Sequence, residues 1–171
     1  MSDQNLLRLS GVAALLGGLL RVSSPFFGML LPDEALHLLW AGTDLLLLLG
    51  TFGLWASTRR ATGVWGVVAL VVMLIGLLLV RTSAERIFGP QSYGVGAGIW
   101  GLGQAILGAA LLITRSGFRV SSILWLVSLV LGLAGERIDL WLDGFGWAGI
   151  VFAAGWICAG LTLARRKEPV P

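Results

Sequence analysis

The sequence predicts an all-α integral membrane protein, a bundle of six transmembrane helices paired as three antiparallel hairpins in one domain over residues 1–171. Hydrophobic residues make up 57% of the chain and charged residues only 12%, whereas a soluble domain carries about 25% charged residues. Six apolar stretches approach the roughly 20 residues that a membrane helix needs. Most charged residues lie near the ends of those stretches.

A soluble domain of this length leaves about a third of its unfolded surface in water, so it could not bury so many apolar side chains. The lipid bilayer is therefore the first expected partner. The net charge of +3 does not indicate nucleic acid, because the arginines stand singly or in pairs and form no basic stripe. Cys158 is the sole cysteine, which excludes a disulfide within the chain.

The elements follow from the apolar stretches in order. The first stretch has the layout of a signal peptide, but Asp3 weakens its basic start and no small-x-small cleavage site follows, so we expect a retained helix. The connections are short, as antiparallel neighbours require. The predicted helices cover residues 6–22, 36–57, 64–80, 95–114, 120–134 and 145–164, and in an alternative assignment the fifth continues to 142.

The basic residues predict the orientation, because cytoplasmic loops carry an excess of Lys and Arg. Eight of them fall on one side and four on the other, which places both termini in the cytoplasm of a bacterial inner or plasma membrane. The first side holds Arg8, Arg59, Arg60, Arg115, Arg119, Arg165, Arg166 and Lys167, and the other holds Arg21, Arg81, Arg86 and Arg137.

The eight tryptophans fit the same arrangement. Trp55, Trp65 and Trp125 are predicted near the cytoplasmic helix ends, and Trp40, Trp141 and Trp147 near the outer ends. Indole rings at those depths form aromatic belts at the level of the lipid headgroups. The two deeper tryptophans, Trp100 and Trp156, are predicted to be packing residues.

A weak internal repeat has a period close to one third of the chain. The three outward-going helices end in similar segments, residues 18–21, 76–81 and 132–137. Such a period favours three tandem hairpins in parallel orientation. Apolar sequence also matches itself by chance, so both explanations stay open.

Asp44 is the only acid predicted well inside an apolar stretch, about two turns from the outer end of the second helix. Acids within a membrane span are costly and usually face the bundle interior. His37, Trp40 and Asp44 follow i, i+3, i+7 spacing and share one helix face. The functional hypothesis is a titrating or binding group. The alternative is a packing role, in which Asp44 pairs with Arg21 or Arg81.

A layer of charged residues follows the outward-going helices. The functional hypothesis is an outward-facing polar pocket lined by both signs of charge, with His37 and Asp44 at its floor. The alternative is a set of interfacial salt bridges whose arginines extend to water, each contributing about 0–1 kcal/mol. The layer contains Arg21, Arg81, Glu85, Arg86, Glu136, Arg137 and Asp139.

Gln104 lies in the middle of the fourth predicted helix, at the repeat position equivalent to Asp44. We therefore include it among the candidate pocket residues. We expect it to hydrogen-bond across helices, an interaction that contributes on average about 0.6 kcal/mol. A direct contact between Gln104 and Asp44 is a further hypothesis.

Small residues form strips on the fourth and sixth helices, where they allow close helix contact. Packing within the chain is the first expectation, and a membrane-protein partner or homo-oligomer bound through residues 94–109 and 146–160 is the alternative. One strip contains Gly94, Gly98, Gly101, Ala105 and Ala109, and the other contains Gly146, Gly149, Ala153 and Gly160.

No cofactor is predicted. Residues 96–101 match G-x-G-x-x-G, but they lie in a predicted membrane helix and lack the preceding strand and the later acid that a dinucleotide site needs. One histidine cannot provide a bis-histidine haem, and there is no Cys/His cluster for a metal ion. The nucleophile motifs of hydrolases are also absent from the sequence.

Three functions stay open at this stage. The first, which the sequence favours, is a non-enzymatic structural, assembly or accessory membrane subunit, because polar residues are sparse. The second is a small solute transporter or proton-coupled permease that uses Asp44 and His37 with the outer arginines. The third is an enzyme acting on lipid headgroups, with Glu136, Asp139 and Asp143 as acid and base.

Overall fold

The computed structural model describes residues 3–82, 89, 92–135 and 144–166. These residues are helical with short turns and contain no strand, which confirms the predicted all-α fold for them. The helices are α1 (Asp3–Leu30), α2 (Asp33–Arg81), α3 (Ser92–Ile113), α4 (Arg119–Gly135) and α5 (Gly144–Arg165). The first helix thus runs well beyond its predicted end at residue 22.

The second helix bends back on itself at Gly63, whose φ of 55° and ψ of −134° are not helical. This backbone conformation is almost confined to glycine. The bend divides α2 into a first arm, residues 33–62, and a second arm, residues 64–81. The predicted connection between residues 57 and 64 is therefore helical up to the bend, and the described residues form six helical rods.

Local chemistry explains how hydroxyl residues fit into these apolar helices. The Thr51, Thr58 and Ser122 side chains donate hydrogen bonds of 2.7–2.8 Å to the carbonyl oxygen four residues earlier. Each hydroxyl is thereby satisfied within its own helix. Pro32 precedes α2 with a φ of −65°, and Asp33 lies in the first turn, where an acid interacts favourably with the helix dipole.

The rods form a closed ring in which each packs against its neighbours in sequence and α5 returns to α1. Successive rods run in opposite directions. Consequently Asp3, Gly63, the turn at residues 114–118 and Arg165 lie together at one end, which we call the terminal end. Arg166 links the end of α5 to the turn at residues 114–118. Its guanidinium donates a hydrogen bond to the Ser116 carbonyl oxygen and lies 4.4 Å from the Phe118 ring centroid.

Most basic residues of the described chain lie at the terminal end. Only two described arginines, Arg21 and Arg81, lie towards the opposite end. The unequal distribution agrees with the grouping predicted from the sequence. The arginines at the terminal end are Arg8, Arg59, Arg60, Arg115, Arg119, Arg165 and Arg166.

Glycines hold two pairs of rods at close distance. Between α1 and α5, a Cβ atom on Gly160 would lie 2.6 Å from the carbonyl oxygen of Gly11. Between the second arm and α3, a Cβ atom on Gly76 would lie 2.8 Å from the carbonyl oxygen of Gly96. Only glycine permits these backbones to approach so closely. Both contacts lie within the chain.

The predicted small-residue strips are only partly used for packing. On α3 the second arm contacts Gly96 and Gly103, which are offset from the predicted strip. Gly98 and Gly149, which belong to the predicted strips, have no atom within 4 Å of an added Cβ. Those two glycines therefore face open space.

The described helices carry apolar side chains on their outer faces as well as inside. Four segments are long and apolar enough to cross a membrane: Gln4–Ser24, Asp33–Arg81, Ser92–Ile113 and Gly146–Arg165. The apolar helix at Arg119–Ala134 is shorter. The extension of the fifth predicted helix to 142 lies outside the described residues.

Two tryptophans form the centre of the core. The rings of Trp125 and Trp156 lie 5.2 Å apart between centroids, and both side chains are buried. Trp156 is a packing residue, as predicted. The prediction for Trp125 is wrong, because its indole packs on Gly155 inside the bundle and is not exposed at a helix end.

Candidate functional site

A cavity of about 1010 Å³ lies at the end of the bundle opposite the terminal end. All six rods contribute to its lining. Of the predicted pocket residues, Arg21, His37, Asp44 and Arg81 line this cavity. Glu85, Arg86, Glu136 and Arg137 lie outside the described residues, as do Asp139 and Asp143.

The bend at Gly63 brings Asp44 and Arg81 together. Asp44 lies nineteen residues before the bend and Arg81 eighteen after it, so the antiparallel arms place them side by side. Arg81 Nε donates a hydrogen bond of 2.5 Å to Asp44 Oδ2, and Nη2 contacts the same oxygen. Asp44 is 7% exposed. Of the two predicted partners, Arg81 therefore binds Asp44 and Arg21 does not.

Arg21 has a neutral partner. Its Nη2 donates a hydrogen bond of 2.5 Å to the Tyr93 hydroxyl oxygen, which links α1 to α3 across the cavity. Arg21 forms no ion pair with an acid of the described residues. Sequence reasoning did not select Tyr93. The available signal was that it is the sole tyrosine of the chain, placed at the outer end of an apolar helix.

His37 and Trp40 complete the charged side of the cavity. Their rings meet edge to face with centroids 5.5 Å apart. Together with Asp44 they line the cavity from the first arm, as their shared helix face predicted. They lie towards its outer part, since the helix begins at Asp33.

Trp100 and Phe152 close the inner end of the cavity. Their rings, from α3 and α5, meet edge to face with centroids 5.4 Å apart. Both line the cavity, and Trp100 is 7% exposed. We call this pair the aromatic floor. It replaces the predicted floor of His37 and Asp44, which lie on the cavity wall.

Gln104 and Trp156 lie one helical turn beyond the aromatic floor, four residues after Trp100 and Phe152 respectively. Both are fully buried. Neither the oxygen nor the nitrogen of the Gln104 amide has a hydrogen-bond partner, and Trp156 Nε1 also has none. The predicted hydrogen bond from Gln104 to another helix is therefore absent. The hypothesised contact between Gln104 and Asp44 is absent too, since Asp44 pairs with Arg81.

The wall formed by α4 and α5 is apolar. Its described lining residues include Leu129, Leu133 and Ile150, and none of them is charged. Ser128 is the only hydroxyl residue among them, and it donates a hydrogen bond of 2.8 Å to the Ala148 carbonyl oxygen. The described part of this wall therefore has no polar side chain left to bind a ligand.

Among residues 3–82, 89, 92–135 and 144–166, no three His, Cys, Asp or Glu side chains lie close enough to hold a metal ion. The cavity offers charged groups on one wall, apolar groups on the other and an aromatic floor. Comparison of the chain with protein-family models, curated proteins and solved structures finds no match.

Proposed function

We propose that this chain is a multi-pass membrane protein of the transporter class that binds a small solute in the cavity. The observation that carries the proposal is the convergence of Arg21, His37, Asp44 and Arg81 on one space of about 1010 Å³. Cavities of roughly 300–1,000 Å³ hold small-molecule ligands in other proteins. Ionisable residues within apolar helices usually mark such sites.

The outer faces of the helices support a position in the bilayer. Leu38, Val64 and Val130 are large apolar side chains that are between 64% and 75% exposed. Patches of such residues on several helices would aggregate in water. Lipid is the environment that matches them.

The distribution of arginines supports an orientation in which the terminal end is cytoplasmic and the cavity opens to the outside. Nineteen helical residues separate Asp44 from Gly63, which is about 28 Å at 1.5 Å per residue. The hydrocarbon core is about 30 Å thick. Asp44 and Arg81 would then lie near its outer boundary in a bacterial inner or plasma membrane.

The structural or accessory function remains the alternative. In that case the Asp44–Arg81 pair would only fix the two arms of α2. The cavity favours the transporter class, because a purely structural subunit does not need an open cavity lined by both positively and negatively charged side chains. The glycine contacts at Gly76 and Gly160 do not add support for a partner, since they are used within the chain.

Cysteine labelling tests the proposal without knowledge of the solute. In a Cys158→Ser background, Ala97→Cys places a thiol in the cavity, and Ala105→Cys places one on the same helix beyond the aromatic floor. We expect a membrane-impermeant methanethiosulfonate to label residue 97 from the outside and to leave residue 105 unlabelled.

The same reagent applied to inside-out vesicles tests transport. Labelling of residue 97 from both faces would support a transporter, and labelling from the outer face alone would support a binding protein that does not transport. If residue 97 reacted from neither face, the solute-binding function would be wrong.

A further inference from the structure

The described lining of the cavity is divided by polarity. All charged residues in it belong to α1 and α2, whereas the α4–α5 wall is lined by apolar side chains and glycines apart from Ser128. The Ser128 hydroxyl is already bonded to a carbonyl oxygen. Within the part of the cavity that the described residues line, a solute therefore meets charged side chains from α1 and α2 and apolar side chains from α4 and α5.

Among the described residues, the charged side carries one arginine that is free to bind an anion. Asp44 and Arg81 neutralise each other through their ion pair. Arg21 is bonded to a neutral phenol, and it forms no ion pair with the acids of residues 3–82, 92–135 or 144–166. Because the Tyr93 oxygen accepts from Arg21, its own O–H can donate to the same anion. An arginine with free N–H groups matches the oxygens of a phosphate or carboxylate.

The apolar side has room for more than a head group. Gly98 on α3 and Gly149 on α5 both line the cavity, and neither has an atom within 4 Å of an added Cβ. Leu129, Leu133 and the aromatic floor line the same cavity. A small hydrophilic anion would leave these surfaces bare, whereas an alkyl chain would cover them.

We infer that the solute is an amphiphile with an anionic head group, held at the head by Arg21 and Tyr93 and along an alkyl chain by the open space at Gly98 and Gly149. This inference rests on the proposed function and names the chemical class of its solute. The same chemistry occurs in a free alkyl phosphate or carboxylate and in an anionic membrane lipid. The head would lie on the α1–α3 side and the chain would extend towards α4 and α5.

Calorimetric titration of the full chain in zwitterionic-lipid nanodiscs tests the inference, with empty nanodiscs as the blank. The probes are dodecyl phosphate, dodecyltrimethylammonium and butyl phosphate. We expect saturable binding of dodecyl phosphate and at least tenfold weaker binding of each of the other two. Each buried methylene contributes roughly a fourfold gain in affinity, so the short chain is a sensitive control.

Two variants separate the head site from the chain site. Arg21→Gln should weaken dodecyl phosphate at least tenfold by removing the cation. Gly149→Leu should weaken it at least tenfold by filling the apolar space, while butyl phosphate binding stays within threefold. Gly42→Leu is the matched control, because Gly42 also has nothing within 4 Å of an added Cβ but does not line the cavity. Thermal unfolding of each variant shows that it folds.

Anionic phosphatidylglycerol in the nanodiscs distinguishes the two sources. Competition with dodecyl phosphate identifies a membrane lipid as the natural solute, and unchanged affinity identifies a free amphiphile. The inference is overturned if the ammonium probe binds as tightly as the phosphate, if butyl phosphate binds within tenfold of dodecyl phosphate, or if no probe binds. Labelling of Ala97→Cys then decides the proposed function separately, since it requires no solute.

Discussion

Asp44 and Arg81 lie at nearly equal distances along the chain from Gly63, and their ion pair joins the two arms of α2. The pair lies largely inside the bundle, with Asp44 almost covered and the Arg81 side chain 34% exposed. An ion pair in this position is expensive to break on one side, since the remaining charge loses its hydrogen-bonded partner.

Asp44→Asn should therefore lower the free energy of unfolding by about 2 kcal/mol, less than the 3–5 kcal/mol of a fully buried pair because Arg81 reaches solvent. Arg81→Gln should cost about the same. The double variant Asp44→Asn/Arg81→Gln should recover about half of the summed loss. Denaturant unfolding in detergent measures all three, and simple additivity of the two single losses would show that the pair is not coupled.

Gln104→Met should leave the protein as stable as the wild type or raise its free energy of unfolding by about 1–3 kcal/mol. The reason is that the buried amide has no hydrogen-bond partner, and an unsatisfied buried amide carries its full desolvation cost. Methionine keeps a similar unbranched shape. The same unfolding assay applies, and a loss of more than about 1 kcal/mol would mean that Gln104 has a partner or a bound water in solution.

Phe152→Ala should open the aromatic floor, since its ring is the one that meets Trp100. The thiol of Ala105→Cys, combined with Cys158→Ser, should then react with the impermeant reagent at least tenfold faster than with Phe152 intact. Leu133→Ala is the control, because Leu133 lines the cavity but is not part of the aromatic floor. Equal labelling rates in the Phe152→Ala and Leu133→Ala backgrounds would show that the aromatic floor is not the barrier to the reagent.

Gly63→Ala should destabilise the protein by about 1–3 kcal/mol. The added methyl group meets no atom within 4 Å, so the cost comes only from the positive φ at the bend. Gly42→Ala, in a helical position with equally open space, should be stabilising by about 0.5–1 kcal/mol. Thermal unfolding of Gly63→Ala and Gly42→Ala separates the cost of the positive φ from the effect of adding a methyl group. Equal changes in stability for the two variants would contradict the role of the bend in the fold.

The sequence by itself determined the all-α class, because its apolar stretches have helix length and a helix satisfies the backbone hydrogen bonds within one segment. It also placed Asp44, His37 and Arg21 on one side of the bundle, because short connections force successive helices to run antiparallel. The i, i+7 spacing of His37 and Asp44 was sufficient to predict that both face the same space.

The tertiary structure alone decided which groups meet. The choice of Arg81 over Arg21 as the partner of Asp44 follows from the register of the two arms, which depends on a single backbone conformation at Gly63. The Trp100–Phe152 contact joins helices that are not neighbours in sequence, so no local pattern encodes it. Gln104 was expected to have a hydrogen-bond partner and has none. Its distance from polar atoms on other helices depends on how all six rods pack into the ring, which the sequence of one helix does not encode.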